Sequence, residues 1–111
     1  MQTKSDFLAD FRQILSHHLT DPQLNGARLA DLMNMSRMHL HRHLKRYFGQ
    51  SAGEVIRAER IRVGASLLRD KNLSIREVAS MAGFRDPHYF ARVFRKEKGF
   101  SPREFRDREE E

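Results

Sequence analysis

The sequence of 111 residues contains no cysteine, no tryptophan and only three prolines. Without cysteine there are no disulfides and no thiolate metal ligands, and nothing indicates an oxidising compartment. The scarcity of proline excludes a proline-rich linker. No apolar run approaches the length of a membrane span, and the first eleven residues lack the apolar core of a signal peptide. We therefore expect a cytoplasmic chain.

Acidic residues are fewer than basic ones. Lys and Arg number 21 against 15 Asp and Glu, which gives a formal net charge of +6, and three of the acids form the terminal run Glu109, Glu110 and Glu111. A composition of 39% hydrophobic residues provides enough apolar surface for a packed core, which excludes a disordered tail. The surplus of positive charge favours a polyanionic partner, either nucleic acid or an anionic membrane.

Helical periodicity extends along the whole chain, and no alternating strand pattern occurs. Capping patterns mark the helix starts: Ser36, the pair Asp86-Pro87, and three Ser residues followed three positions later by Glu, namely Ser51 with Glu54, Ser74 with Glu77 and Ser101 with Glu104. They predict an all-α fold of about seven helices. The expected helices are one ending before Asp21, one after Asn25, one from Ser36 to Gly49, one from Ala52 to Arg69, and others from Ile75, Pro87 and Pro102.

The second half of the chain repeats the first with a shift of fifty residues. Leu40, Arg42, Leu44, Arg46, Gly49, Ser51 and Glu54 recur as Phe90, Arg92, Phe94, Lys96, Gly99, Ser101 and Glu104. Each copy predicts a short helix, a tight turn and a longer basic helix, which is the layout of a helix-turn-helix. We expect two such subdomains joined by a long linker helix: an N-terminal helix plus the first unit over 1–50, the linker over 51–71, and the second unit with a C-terminal helix over 72–111.

The longer helix of each copy is predicted to bury an apolar side and to expose a cationic side without carboxylates. An ordinary solvated helix face mixes charges of both signs, because unpaired like charges repel. Arg42 and Arg92 are placed to reach base edges, and we add His41, His88, Met38 and Ala91 as further candidates for base contacts. The candidates for phosphate contacts are Arg37, Lys45, Arg46, Arg85, Arg95 and Lys96.

Other kinds of site have little support. The serines are mostly caps and no glycine-rich phosphate loop occurs, so we expect neither an enzyme nor a cofactor. His39 and His43 have the spacing of a metal-binding pair, but no Cys, Asp or Glu lies nearby to complete a shell, so no metal is expected. Phe84 and Phe100 are expected to fill the core rather than to stack on bases.

Three functions remain open on these residues alone. The chain either binds double-stranded DNA with sequence preference, or is a non-specific or architectural nucleic-acid binder, or is a protein-interaction domain that docks acidic partners. The first two share a steep loss of affinity with salt. Only the first predicts a cost of roughly 1–3 kcal/mol for each altered base pair.

Two stretches carry a resemblance to a known family. Residues 74–106, SIREVASMAGFRDPHYFARVFRKEKGFSPREFR, and residues 29–49, LADLMNMSRMHLHRHLKRYFG, resemble the two units of the C-terminal DNA-binding domain of AraC/XylS-family bacterial transcription regulators. The resemblance covers about residues 7–107. It implies that one chain reads two adjacent major-groove segments, and that the base-reading positions are Met38, His41 and Arg42, then Pro87, His88, Ala91 and Arg92.

The resemblance also implies partners. These are a double-stranded DNA operator, RNA polymerase, and a sensor, receiver or ligand-binding domain in the full-length protein, with a nucleoid-associated location and no membrane contact by this segment. Where the family places alanine in the linker helix, this chain has Gly64. Because glycine costs up to about 1 kcal/mol relative to alanine inside a helix, this departure predicts a less rigid linker.

Overall fold

The computed structural model of the chain describes residues 2–109, except for the side chain of Glu109. This part is all-helical, which confirms the predicted class and number of helices: α1 Lys4–His18, α2 Gly26–Leu32, α3 Arg37–Phe48, α4 Ala52–Leu67, α5 Ile75–Met81, α6 Pro87–Lys98 and α7 Pro102–Glu109. The linker helix α4 ends two residues before the predicted Arg69, so it spans about 24 Å rather than about 27 Å. Glu110 and Glu111 of the acidic terminal run lie outside the described residues.

The helices begin where the capping residues place them. Each of the three Ser–Glu pairs forms a reciprocal capping box, in which the backbone N–H of Glu donates to Ser Oγ and the backbone N–H of Ser donates to Glu Oε1, over 2.9–3.2 Å. The side chains of Ser36 and Asp86 cap α3 and α6. A fourth box, formed by Thr3 and Asp6 at α1, has Asp rather than Glu as its third helical residue.

Two compact units divide the chain, the first ending at Ile56 and the second beginning at Arg57, so the division falls within α4. The predicted three-part division at residues 50 and 71 stays a prediction. In the first unit the apolar stripe of α1 buries Phe7, Phe11 and Leu15, as its spacing predicts. Further buried residues of that unit are Leu19, Leu24, Leu29, Ala30, Met33, Leu40, Leu44, Val55 and Ile56.

The core of the second unit forms around two aromatic residues of α6. Phe90 and Phe94 are completely buried, and Ile61, Leu68, Val78, Ala79, Ala82 and Phe84 belong to the same cluster. Helix α4 continues unbroken through Gly64. A Cβ at this position would lie 2.9 Å from Cε1 of Phe90, closer than carbon atoms pack. Close packing therefore explains the glycine that the family resemblance marks as a departure.

Phe48 and Phe100 lie nearer the surface than the aromatic residues of the core. Phe48, the last residue of α3, is 39% exposed, and its ring is tilted by 39° against that of Phe11, with 5.8 Å between centroids. Phe100 is half-buried rather than a core residue, and the guanidinium carbon of Arg108 lies 4.3 Å from its ring centroid. Phe84 is buried in the core, as predicted.

Candidate nucleic-acid interface

The two predicted turns have the same hydrogen-bond pattern. In the first unit the N–H of Met35 donates to the carbonyl of Ala30 over 3.0 Å, and in the second the N–H of Phe84 donates to Ala79 over 2.9 Å. Both alanines are 1% exposed. A larger side chain at either position has no space, so the small residue shared by the two copies follows from tight packing beneath the turn.

A left-handed residue allows each turn to reverse the chain. Asn34 has φ 57° and Gly83 has φ 100°, a region that glycine and asparagine tolerate better than other residues. The second turn is one residue longer than the first, because Arg85 lies between Phe84 and the capping residue Asp86. Each turn thereby sets the rotation of the helix that follows it, and this rotation decides which side chains of α3 and α6 face outward.

The predicted site residues lie on the outer sides of these helices. In α3 the inner side consists of Leu40 and Leu44, and in α6 of Phe90 and Phe94, all of them buried. The exposed residues are Arg37, Met38, His41, Arg42, Lys45 and Arg46 in the first unit, and Arg85, His88, Arg92, Arg95 and Lys96 in the second. Pro87 and Ala91 are half-buried. The structure thus gathers the predicted residues on one face of α3 and on the equivalent face of α6.

One of the two cationic faces is not free of carboxylates. Glu104 of α7 lies beside Arg95, with 3.3 Å between Oε1 and Nη1. Hydrogen bonds from the backbone and side chain of Ser101, together with the charge of Arg95, hold the pKa of Glu104 below its ordinary value. The prediction of an acid-free face is therefore wrong at Arg95. Helical periodicity within α6 does not reveal this pair, because Glu104 belongs to the next helix.

Aromatic and histidine rings form a stack behind the face of α3. The ring of His43 lies 4.6 Å from that of His39 and 4.6 Å from that of Phe7 in α1. Burial lowers the pKa of His43, and the nearby His39, Arg42 and Arg46 lower it further. Over residues 2–109 no three His, Cys, Asp or Glu side chains are grouped closely enough to hold a metal ion.

Arg106 joins two helices of the second unit, a structural role that no pattern in the sequence predicted. Its Nε donates to the carbonyl of Leu68 over 2.8 Å, and its Nη2 donates to the carbonyl of Asp70 over 3.2 Å. These carbonyls follow the end of α4, where backbone acceptors lack helical partners. Arg106 therefore ties α7 to the end of the linker helix. Its partners are 38 and 36 residues away, so no local pattern signals the contact.

None of the helices in the described part of the chain combines the length and the apolar character that crossing a lipid bilayer requires.

Comparisons with known proteins agree with this architecture. A family model described as a helix-turn-helix domain matches residues 29–108. The chain is 36% identical over 106 residues to YfiF of Bacillus subtilis, an uncharacterised HTH-type transcriptional regulator, and the match covers 96% of this chain and 33% of that protein. The chain thus spans about a third of the length of that relative.

Solved structures show the same fold. The C-terminal domain of AraT, a response regulator from Geobacillus stearothermophilus, is 31% identical, with a TM-score of 0.82 and coverage of 87% of this chain and 80% of that one. The DNA-binding domain of the global transcriptional factor AdpA, solved in complex with a target DNA, is 29% identical, with a TM-score of 0.82 and coverage of 90% and 89%. The chain belongs to the AraC/XylS family of transcription regulators, whose helix-turn-helix domain it carries, and this domain is not an enzyme.

Proposed function

We propose that this domain binds double-stranded DNA with sequence preference, as the DNA-binding output domain of a bacterial transcription regulator. The observation that carries the proposal is the equivalence of α3 and α6. Each follows a tight turn, buries an apolar side and exposes basic residues at matching positions, Arg42 with Arg92 and Arg46 with Lys96. A helix of this kind fits the width of a major groove, where base edges are accessible. The DNA complex of the related AdpA domain supports the proposal.

The residues assigned to bases differ in chemistry. The guanidinium groups of Arg42 and Arg92 suit two hydrogen bonds to guanine O6 and N7. Met38 and Ala91 offer apolar contact to thymine methyl groups, and Met38, 69% exposed at the start of α3, has little other packing. His41, His88 and Pro87 complete the proposed base-reading set. His41 and His88 can each donate or accept a hydrogen bond, directly or through water.

The residues assigned to phosphates fix the position of the helices without reading sequence. They are Arg37, Lys45, Arg46, Arg85, Arg95 and Lys96. Five of them extend into solvent without a carboxylate partner in the described part of the chain, whereas Arg95 forms an ion pair with Glu104. We therefore expect Arg95 to contribute less to DNA affinity than Lys96, which follows it on the same helix.

The duplication implies two reading heads in one chain. We propose that α3 and α6 occupy two adjacent major-groove segments of the same duplex, which lie about 34 Å apart along one side of B-DNA. One chain then occupies one asymmetric site. A titration of the selected duplex should saturate at one chain per duplex, and a ratio of two chains would contradict this arrangement.

The full-length protein is proposed to contain more than this domain. The relatives are about three times as long as the matched region, and AraT is named as a response regulator. We propose that a sensor, receiver or ligand-binding domain accompanies this one, that the full-length protein acts on RNA polymerase, and that it is associated with the nucleoid through its operator.

Selection from a library of random duplexes tests the proposal directly. We expect the wild-type chain to enrich one motif, and its affinity for that motif to exceed its affinity for a scrambled duplex at a fixed salt concentration. Binding without enrichment would instead indicate an architectural binder, and the absence of any binding would indicate a protein-interaction domain. Either outcome refutes the proposed function.

Single substitutions then separate base reading from phosphate contact. Arg42→Ala and Arg92→Ala should relax the motif at two different groups of base pairs, each by about 1–3 kcal/mol. Lys96→Ala should weaken binding to all duplexes and reduce the slope of affinity against salt by about one. Arg12→Ala, which removes an exposed arginine of α1, is the matched control for the loss of charge. If Arg92→Ala left the motif unchanged, the assignment of Arg92 would be wrong.

A further inference from the structure

Arg92 lies against an aromatic ring on its own helix. Its guanidinium carbon is 5.7 Å from the ring centroid of Tyr89, one turn earlier in α6. This distance is within the range in which a cation is attracted by the face of an aromatic ring. A guanidinium can stack on a ring by its flat face, which leaves the N–H groups at its edge available for hydrogen bonds. Those N–H groups are the ones that grip a guanine.

The ring of Tyr89 packs in turn against a buried aromatic ring. It lies 6.0 Å from the ring of Phe84, tilted by 56°. Phe84 is a buried residue of the turn, held by its backbone hydrogen bond to Ala79. Tyr89 remains 39% exposed, so burial of apolar surface accounts for only part of its position. The turn, Phe84, Tyr89 and Arg92 form a continuous series of contacts from the core to the outer face.

The first unit lacks this arrangement. His39 stands at the position equivalent to Tyr89, and its ring stacks on His43 with 4.6 Å between centroids. In the described part of the first unit the structure gives Arg42 no ring contact, although Arg42 is the equivalent of Arg92. The two reading helices therefore differ in how firmly each holds its central arginine.

We propose that Tyr89 is a positioning residue that holds Arg92 in the orientation needed to read a base, so that α6 discriminates at its central base pair more strongly than α3 does. The proposal rests on the proposed function of sequence-specific DNA binding. A free arginine side chain loses rotamer freedom when it is ordered in an interface. A side chain that is already held against a ring loses less rotamer freedom on binding. The resulting gain in affinity applies only where the guanidinium meets its correct base.

Graded fluorination of the ring at position 89 tests this role without removing the side chain. Tyr89 is replaced by Phe and then by phenylalanines carrying increasing numbers of fluorine atoms, which weaken the negative face of the ring while keeping its shape. The readout is the affinity ratio between the selected duplex and a duplex altered at the base pairs that Arg92→Ala relaxes. We expect Tyr89→Phe to retain the ratio, and the fully fluorinated ring to lower it by about two- to fivefold, the size of an exposed cation–π contact.

Four controls distinguish positioning from a structural role. Ratios at the base pairs assigned to Arg42 should stay constant through the series, and so should the melting temperature. In an Arg92→Ala background, fluorination should have no further effect on the ratio. His39→Phe should also leave the ratio at the Arg92 base pairs unchanged, because His39 belongs to the first unit and stacks on His43.

The outcomes separate this inference from the function on which it rests. A wild-type chain that enriches no motif removes the proposed function and this inference together. If Arg92→Ala changes the motif but fluorination at position 89 does not change the affinity ratio, the proposed function stands and this inference is wrong. Two further results overturn it: an equal loss of affinity at all base pairs, which indicates a structural role, and a loss already complete in Tyr89→Phe, which assigns the effect to the hydroxyl group.

Discussion

Replacing Gly64 with alanine sets helix propensity against packing. In an unconstrained helix interior the change stabilises the folded state by up to about 1 kcal/mol. Here the new Cβ would lie 2.9 Å from Cε1 and 3.2 Å from Cζ of Phe90. That ring cannot move aside easily, because it is completely buried and lies 5.1 Å from the ring of Phe84 and 5.6 Å from that of Phe94.

The packing cost is expected to exceed the gain in helix propensity. Overpacking of a filled core costs typically 1–3 kcal/mol, so the net effect of Gly64→Ala should be a destabilisation of about 1 kcal/mol. A loss of that size lowers the melting temperature by about 4 °C in a domain of this length. The assay is thermal and urea unfolding followed by far-ultraviolet circular dichroism, which reports the helices.

Two further variants isolate the clash. Ser66→Ala, at an exposed position two residues later in α4, removes a side chain of lower helix propensity without approaching Phe90, and should stabilise by a few tenths of a kcal/mol. In a Phe90→Leu background, Gly64→Ala should cost less than it does alone, because the colliding ring is gone. A higher melting temperature for Gly64→Ala alone would refute the packing argument and support the weaker-linker interpretation.

Two other predictions concern stability. Arg106→Lys should destabilise the domain by about 1–2 kcal/mol in urea unfolding, because one ammonium cannot reproduce the paired hydrogen bonds to Leu68 and Asp70; an unchanged midpoint would contradict the tie between α7 and α4. The lowered pKa of His43 means that the unfolded chain takes up this proton first as the pH falls below 6.5. Protonation of His43 therefore lowers the free energy of unfolding as the pH falls from 6.5 to the folded-state pKa. His43→Phe, which keeps a ring against Phe7, should flatten that part of the curve of unfolding free energy against pH.

Local features of the sequence predicted most of the fold. The capping boxes at Ser51, Ser74 and Ser101 join residues three positions apart, so the primary sequence contains all the information needed to place these helix starts. The buried and exposed sides of α3 and α6 follow from the rotation of about 100° per residue. The repeat then assigned equivalent positions to the two copies. The roles of individual residues toward bases and phosphates stay predictions, which the selection experiment addresses.

The chain's own sequence determined the helices, their order and the outer faces of α3 and α6, because these depend on interactions within a few residues. Tertiary structure alone decided the contacts between distant segments. Glu104 reaches Arg95 from the next helix, Arg106 binds carbonyls 36 and 38 residues away, and Gly64 is needed only because Phe90 packs against α4. Such contacts depend on how helices pack against one another in three dimensions, and periodicity along a single helix contains no information about its neighbours.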